Sequence, residues 1–314
     1  MATSGIDKSG GEGRIRNAIL IAGPTASGKS RLALDLAERR GGAVVNADSM
    51  QVYSILDVLT ARPGGDDLRR APHLLYGHVA PGVAYSTGAW LRDVISLADS
   101  GRLSGSPPIF VGGTGLYFRA LEEGISEMPD IPNQIRERWR YELADKGAEK
   151  LHRILMREDP RAAMMLRAGD GQRIVRALEV LETSGRSILD WQAERGKPLI
   201  DRESARFVVI EPDRADLVAR IDRRFDGMIE AGALEEVKAL AALNLDPQLP
   251  AMKAIGVREI QAALAGEIAM AEAIERAKIA TRQYAKRQST WFRNQLGPHW
   301  LRIGGADAPQ ARDL

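Results

Sequence analysis

Apolar residues follow two rhythms along this chain, and the place where one gives way to the other divides it. Four short runs, Ala18-Ile19-Leu20-Ile21-Ala22, Ala43-Val44-Val45, Pro108-Ile109-Phe110-Val111 and Phe207-Val208-Val209-Ile210, have the length and aliphatic content of strands buried on both faces. Between them apolar residues recur at helical spacing, as in Arg31-Leu32-Ala33-Leu34-Asp35-Leu36-Ala37, and in Ala89 to Ile95 behind the hydroxyl cap Ser86-Thr87. Strands alternating with helices predict an α/β fold with a parallel sheet. The stretch His73 to Val79 is too short and mixed to assign, although a strand there suits the alternation. From about Met128 to Ile200 the strand runs stop. Pro129-Asp130-Ile131-Pro132 marks the entry, and Asp159-Pro160 and Gly169-Asp170-Gly171 mark turns between helical stretches.

The first run leads into Gly23-Pro24-Thr25-Ala26-Ser27-Gly28-Lys29-Ser30 and then a helical pattern, which is the strand, loop and helix context that a phosphate-binding loop requires. Gly23 and Gly28 let the backbone turn its N–H groups inward, the helix aims its positive end at the same point, and Lys29 adds a full charge. Such a loop holds a diphosphate, and Ser30 has the place of the hydroxyl that ligates a bridging Mg²⁺. The fold class predicted is therefore a P-loop NTPase-like α/β core, a parallel sheet flanked by helices, formed by 14–128 and 201–303. An all-helical insertion at 129–200 interrupts it, with tails at 1–13 and 304–314. The second strand delivers Asp48-Ser49-Met50-Gln51-Val52-Tyr53 and the third Gly112-Gly113-Thr114-Gly115-Leu116-Tyr117 at the carboxyl edge of the sheet, where open α/β folds bind ligands. Position alone leaves three roles open to Asp48: Mg²⁺ or substrate ligand, catalytic base, or helix cap with Ser49. Thr114 is either a hydrogen-bond donor to a ligand or a capping threonine.

Composition narrows the chemistry. The chain has 314 residues, a net charge of +2, four His and no Cys, which excludes disulfide frameworks, Fe–S clusters and Cys-ligated zinc and leaves Mg²⁺ as the natural metal. No apolar run reaches membrane-spanning length and the first residues lack a signal-peptide core, so a cytoplasmic protein with no membrane partner, and a monomer, is expected. With charge nearly balanced, a nucleic-acid surface has to come from local clusters. The insertion offers one, Arg173 and Arg176 three apart on a helix. After the fourth strand a helix carries Leu217, Ile221, Phe225 and Met228 at core spacing, with Arg220, Arg223 and Arg224 on other faces. From Ala271 to Trp300 six Lys or Arg stand against two Glu. Arg282, Lys286 and Arg293 fall within about 40° on a helical wheel, opposite Ala277, Ala280, Tyr284 and Trp291. One face packs and the other forms a cationic stripe suited to a polyanion.

Six motifs in this order, Gly-Pro-Thr-Ala-Ser-Gly-Lys-Ser at 23–30, Asp-Ser-Met-Gln-Val-Tyr at 48–53, Gly-Gly-Thr-Gly-Leu-Tyr at 112–117, Gln-Arg-Ile-Val-Arg-Ala-Leu-Glu-Val at 172–180, Ala-Ile-Gly-Val-Arg-Glu at 254–259 and Thr-Arg-Gln-Tyr-Ala-Lys-Arg-Gln at 281–288, resemble the tRNA dimethylallyltransferase family in its bacterial form, over roughly Ile15 to Trp300. The resemblance implies that the loop holds dimethylallyl diphosphate, and that N6 of the adenosine adjoining the tRNA anticodon attacks its allylic carbon. It further implies Asp48 as general base, Thr114 on the bridging oxygen of the leaving group, and Lys29, Arg220, the loop amides and Mg²⁺ on the diphosphate. The anticodon stem-loop is expected to meet Asp48, Ser49, Met50 and Gln51, then Arg136, then Gln172, Arg173, Ile174, Val175 and Arg176. Lys253, Arg258, Arg282, Lys286, Arg287 and Arg293 complete that set. One departure is visible: Asp57-Val58-Leu59-Thr60-Ala61-Arg62-Pro63 has Leu59 where the family usually has glycine. Two other classes share the loop. An enzyme prenylating free adenine nucleotides would keep Asp48 and Thr114 but have less need of the insertion and the stripe, and a small-molecule kinase would bind ATP and use Asp48 on an acceptor hydroxyl.

Overall fold

The computed structural model describes residues 15–194, 196–307 and 311; the expected tail at 1–13 lies outside them. The elements run β1 (Ile19–Ala22), α1 (Lys29–Arg40), β2 (Val44–Asn46), α2 (Gly65–Arg70), β3 (His73–Leu74), α3 (Thr87–Asp99), β4 (Ile109–Gly112) and α4 (Gly115–Glu123). Five helices follow, α5 (Asn133–Lys146), α6 (Ala148–Glu158), α7 (Pro160–Met164), α8 (Gly171–Ser184) and α9 (Ile188–Ala193). Then come β5 (Arg206–Ile210), α10 (Arg214–Glu230), α11 (Ala233–Ala242), α12 (Val257–Leu264), α13 (Met270–Gln295) and β6 (Leu301–Ile303). The chain divides into two compact units, one made of the residues up to Glu122 and from Pro198 onward, the other of Glu123–Lys197.

The larger unit holds a six-stranded sheet in the order β3-β2-β4-β1-β5-β6, with every neighbouring pair parallel. Ile19, Leu20, Ile21 and Ala22 are fully buried in its middle, which is why β1 reads as an unbroken apolar run. All strands point the same way, so the turns after β1, β2, β4 and β5 share one edge, and the expected parallel α/β core is what forms. At that edge Gly112 is obligatory, because a Cβ there would lie 2.0 Å from the carbonyl oxygen of Ala47. Leu59 has a use in this chain: it is buried with Val52, Leu56, Phe225 and Val257 in a second core cluster, where its methyl would stand 3.0 Å from a Cβ on Gly256. The loop that carries it is pinned by Glu236, whose carboxylate accepts the backbone N–H groups of Asp57, Val58 (2.7 Å) and Leu59 (2.9 Å).

Residues from Gly304, expected as a tail, are packed where described. They turn beside the phosphate loop, Ala306 rests on the first core cluster with buried Ala311, and Asp307 pairs with Arg31. The apolar side chain of Ala306 and the charge of Asp307 each find a partner there, which a freely solvated tail would not.

The smaller unit is all helical, with Leu151, Leu155, Ala163, Ile174, Val175, Ala177 and Leu178 at its core. Asp159 and Asp170 cap α7 and α8 by accepting the N–H groups of Ala162 (3.1 Å) and Arg173 (3.3 Å), so both turn signals mark helix starts. Among the described residues no helix is long and apolar enough to cross a membrane.

Candidate active site

The site is built from the phosphate loop outward. Ala26 and Gly28 both have positive φ, 62° and 92°, and Gly28 caps α1 without any side-chain hydrogen bond, so the first-turn N–H groups stay open to an anion. Lys29 Nζ donates to the carbonyl of Pro24 at 3.1 Å. Burial pushes its ammonium down to about 8, opposed by the negative charge of Asp48 and reinforced by the positive charge of Arg224. A half-buried arginine completes the group: burial lowers the Arg224 guanidinium, Asp48 raises it, and it has no hydrogen bond or ion pair among the described residues. Two cations and one carboxylate thus share a desolvated corner, an arrangement with an unmet demand for negative charge.

Asp48 is held by its neighbours. The buried side chain of Asn46 accepts the Asp48 N–H at 2.8 Å and donates to the carbonyls of Asp48 and Leu75, both at 3.0 Å. Trp90 Nε1 donates to the Asn46 carbonyl at 2.8 Å. Asp48 Oδ1 accepts the N–H of Met50 at 3.0 Å, a local turn bond that leaves Oδ2 toward Gly113. Three tyrosines feel its charge: Tyr76, Tyr117 and Tyr284 are all pushed up, first by burial and then by Asp48, so their hydroxyls stay protonated and able to donate. Tyr117 stacks on Trp90 at 4.1 Å. The Thr114 hydroxyl accepts from the Ser49 N–H at 2.9 Å and donates to Ser49 Oγ at 3.2 Å. It therefore ties the β4 exit to the Asp48 turn, from the position just before α4, where its carbonyl accepts the Tyr117 N–H at 3.0 Å.

Several expected site residues stand elsewhere than their type suggested. Arg220 lines a cavity of about 600 Å³ with Ala26, Ser27, Gly28, Arg31 and the turn from Gly304 to Asp307. Arg224, one turn further along α10, is the arginine whose charge acts on Lys29 and which itself feels Asp48. Arg282 donates from its Nη1 to both carboxylate oxygens of Asp222 at 2.8 Å and from Nη2 to Glu275 at 2.7 Å, so its charge is neutralised within the protein and it leaves the stripe. Lys286, Arg287 and Arg293 remain on the exposed face. Ile174 and Val175, expected as RNA contacts, are core residues of the helical unit with 0% and 7% exposure, because they share the apolar side of α8. Gln172 and Arg173 are exposed and Arg136 is half-buried, while Arg176 lies 3.5 Å from the carboxylate of Glu179. Gln51 spends its amide on the carbonyls of Thr60 (2.9 Å) and Ala61 (3.0 Å). Lys253 ends a short 3-10 turn and Arg258 is exposed in the first turn of α12. Two residues that sequence reasoning missed are Asn46 and Gln288. The only signal for Asn46 was an amide closing an apolar strand; Gln288 carried none.

Ser30 suits a hard cation. Its hydroxyl lies in the first turn of α1 and takes no hydrogen bond among the described residues. No group of three or more His, Cys, Asp or Glu gathers among those residues, so the other ligands of an ion here would be phosphate oxygens and water.

Comparison with known proteins agrees with this geometry. The model of the IPP transferase family matches residues 51–295. The chain belongs to that family. Among IPP transferase relatives, the tRNA dimethylallyltransferase of Mesorhizobium japonicum (strain LMG 29417 / CECT 9101 / MAFF 303099) is 73% identical over 97% of this chain and 95% of its own. That of Chelativorans sp. (strain BNC1) is 61% identical over 91% and 98%. Two solved structures share the fold. The full-length tRNA isopentenylpyrophosphate transferase of Bacillus halodurans has 30% identity and a TM-score of 0.63, covering 93% of this chain and 90% of that one. A eukaryotic dimethylallyltransferase acting on tRNA has 27% identity and a TM-score of 0.78, covering 94% and 77%.

Proposed function

We propose that this IPP transferase moves a dimethylallyl group from dimethylallyl diphosphate to N6 of the adenosine adjoining the tRNA anticodon, in the cytoplasm, releasing diphosphate. The observation that carries the reading is the phosphate loop itself, with positive φ at Ala26 and Gly28, open amides at the start of α1 and Lys29 folded back on the Pro24 carbonyl, set in the field of Asp48 and Arg224. Relatives at 73% and 61% identity are named tRNA dimethylallyltransferases, which supports the group transferred and the class of acceptor.

In the reaction the bond from N6 to the allylic carbon forms, the bond from that carbon to the bridging oxygen breaks, and the N6 proton passes to Asp48. Charge grows on the diphosphate as the bond breaks, so Lys29, Arg224 and the amides of Gly28 to Ser30 grip it more tightly in the transition state than before. Thr114 serves the bridging oxygen by turning its proton from Ser49 Oγ toward it. Asp48 activates a poor nucleophile, since an exocyclic purine amine attacks only as its proton begins to leave. Mg²⁺, held by Ser30 and the phosphate oxygens, would supply further neutralisation of the leaving group. Arg220, which lines a cavity with Ala26, Ser27 and Gly28 of the loop, adds its charge to the same diphosphate. The target adenosine leaves its stack to reach Asp48. The exposed Lys286, Arg287, Arg293 and Arg258, with Gln172 and Arg173 of the helical unit, contact the anticodon arm.

The test is diphosphate release with Mg²⁺ and dimethylallyl diphosphate, offering unmodified tRNA, AMP or no acceptor, beside an ATP-only control. Release that requires tRNA, with the prenyl group recovered on the adenosine beside the anticodon, is expected. Release with AMP alone would identify a nucleotide prenylating enzyme, and ATP turnover without prenyl transfer a kinase; either overturns the reading.

A further inference from the structure

Gln288 lies near the end of α13 on the side facing the sheet, and it is 5% exposed. Its Oε1 accepts the N–H of Thr25 in the phosphate loop at 2.9 Å, and its Nε2 donates to the carbonyl of Gly113 at 2.9 Å. One amide thus joins the loop that receives the diphosphate to the turn that carries Thr114.

The glycines of that turn are shaped for this helix. A Cβ on Gly113 would stand 2.1 Å from Gln288 Nε2, and one on Gly115 would stand 2.1 Å from the indole of Trp291. The first of these also lies 3.2 Å from Asp48 Oδ2, so the Gln288 amide group borders the carboxylate. The Gly-Gly-Thr-Gly sequence therefore admits two side chains of α13, whatever a ligand requires of it. By occupying the Thr25 N–H, Gln288 fixes which loop amides remain turned toward the anion. By holding Gly113 it sets the height of Thr114 above that loop.

We propose that Gln288 is a positioning residue for prenyl transfer: it sets the distance between the diphosphate held by the loop and the Asp48–Thr114 pair, acting through Thr25 and Gly113 without touching the reacting atoms. The inference rests on the reading of the loop as the holder of a prenyl diphosphate. A displacement of about 1 Å between bound donor and catalytic groups is enough to lower a rate by two orders of magnitude, and loss of both hydrogen bonds removes the tie between Thr25 and Gly113, leaving Thr114 on its bonds to Ala47 and Ser49.

The experiment compares the full-length protein with Gln288→Met, which keeps the volume and removes both bonds, and Gln288→Glu, which keeps an acceptor for Thr25 and loses the donor to Gly113. Melting temperature, calorimetric affinity for dimethylallyl diphosphate and single-turnover transfer to unmodified tRNA are measured for each. Gln288→Met is expected to weaken the diphosphate about tenfold and slow transfer about thirtyfold at a temperature where it remains folded. Gln288→Glu is expected to slow transfer at least tenfold. In a Thr114→Val background Gln288→Met should slow transfer less than threefold further, because the two act on one geometry; a merely structural residue would multiply through. A folded Gln288 variant with wild-type affinity and rate, or full multiplication onto Thr114→Val, overturns the inference, and if Gln288→Met does not fold, Gln288→Glu decides it. Failure of the wild-type protein to transfer a prenyl group would overturn the parent reading instead, so the two failures are distinct.

Discussion

The sheet-edge crevice and the helical unit use their charged residues in opposite ways. In the crevice several polar groups are held by residues distant in sequence: the Ser49 N–H by Thr114, the Asn46 side chain by Leu75, the loop amide of Thr25 by Gln288. Its two strongest cations, Lys29 and Arg224, nonetheless lack a full counter-charge. In the helical unit Arg173 and Arg176 are exposed or half-exposed and sit 3.5 Å from Asp170 and Glu179, three residues away. The Arg173–Asp170 pair lies on the surface, where such pairs are worth little and are readily exchanged, while the partner of Arg176, Glu179, is buried. A buried charge left short of a partner is a strong sign of an absent ligand, and an exposed charge with a local partner is compatible with one without requiring it.

Removing the crevice carboxylate should give the largest effect. Asp48→Asn is expected to lower single-turnover transfer about a thousandfold while leaving affinity for dimethylallyl diphosphate within a few fold, read by quench-flow and calorimetry. Loss of that affinity with a normal residual rate would move Asp48 from base to ligand site. Next come the two arginines of α10. Arg224→Gln should reduce the rate about a hundredfold and Arg220→Gln less than tenfold; the reverse order would restore Arg220 as the main diphosphate contact.

Lys29 sharpens the comparison through pH. Its ammonium, lowered to about 8 in the ligand-free protein, loses charge as pH rises through that value, so diphosphate affinity should fall about tenfold between pH 7 and pH 9. Lys29→Arg should abolish that limb. Stability moves the other way: between about pH 8 and pH 10.5 the unfolded chain still binds this proton while the folded protein has released it, so on account of this group the ligand-free protein becomes more stable as pH rises there. Thermal melts across that window, with Lys29→Met as reference, check the sign. The smallest effects are expected on the RNA side. Lys286→Ala with Arg293→Ala should weaken tRNA about tenfold and flatten the salt dependence by about two contacts. Arg282→Ala should change tRNA affinity less than twofold, since its charge already belongs to Asp222 and Glu275.

The sheet, the phosphate loop, Asp48 and Thr114 were legible because each is written in a contiguous stretch: an apolar strand, then the residues its end delivers. What was not legible depends on partners distant in the chain. A helical wheel cannot tell Arg220 from Arg224, because one turn apart they lie close to the same face, and only the placement of α10 sets Arg220 at the cavity beside the loop and Arg224 in the field of Asp48. Arg282 looked free because Asp222 lies 60 residues earlier. Ile174 and Val175 sat inside a motif whose polar members are exposed, and motif membership carries no information about which way a side chain faces. Gln288 was hidden among the basic residues of its own motif.

The bond between Thr25 and Gln288 joins residues 263 apart, nearly the full span of the described chain. On a translating ribosome the phosphate loop is made well before its clamp. Until α13 has left the exit tunnel, the nascent loop has neither the acceptor for Thr25 nor the helix that holds Gly113. The loop therefore reaches its folded form only after Gln288 has emerged, and a chain that stalls before that residue carries the loop sequence without its finished geometry.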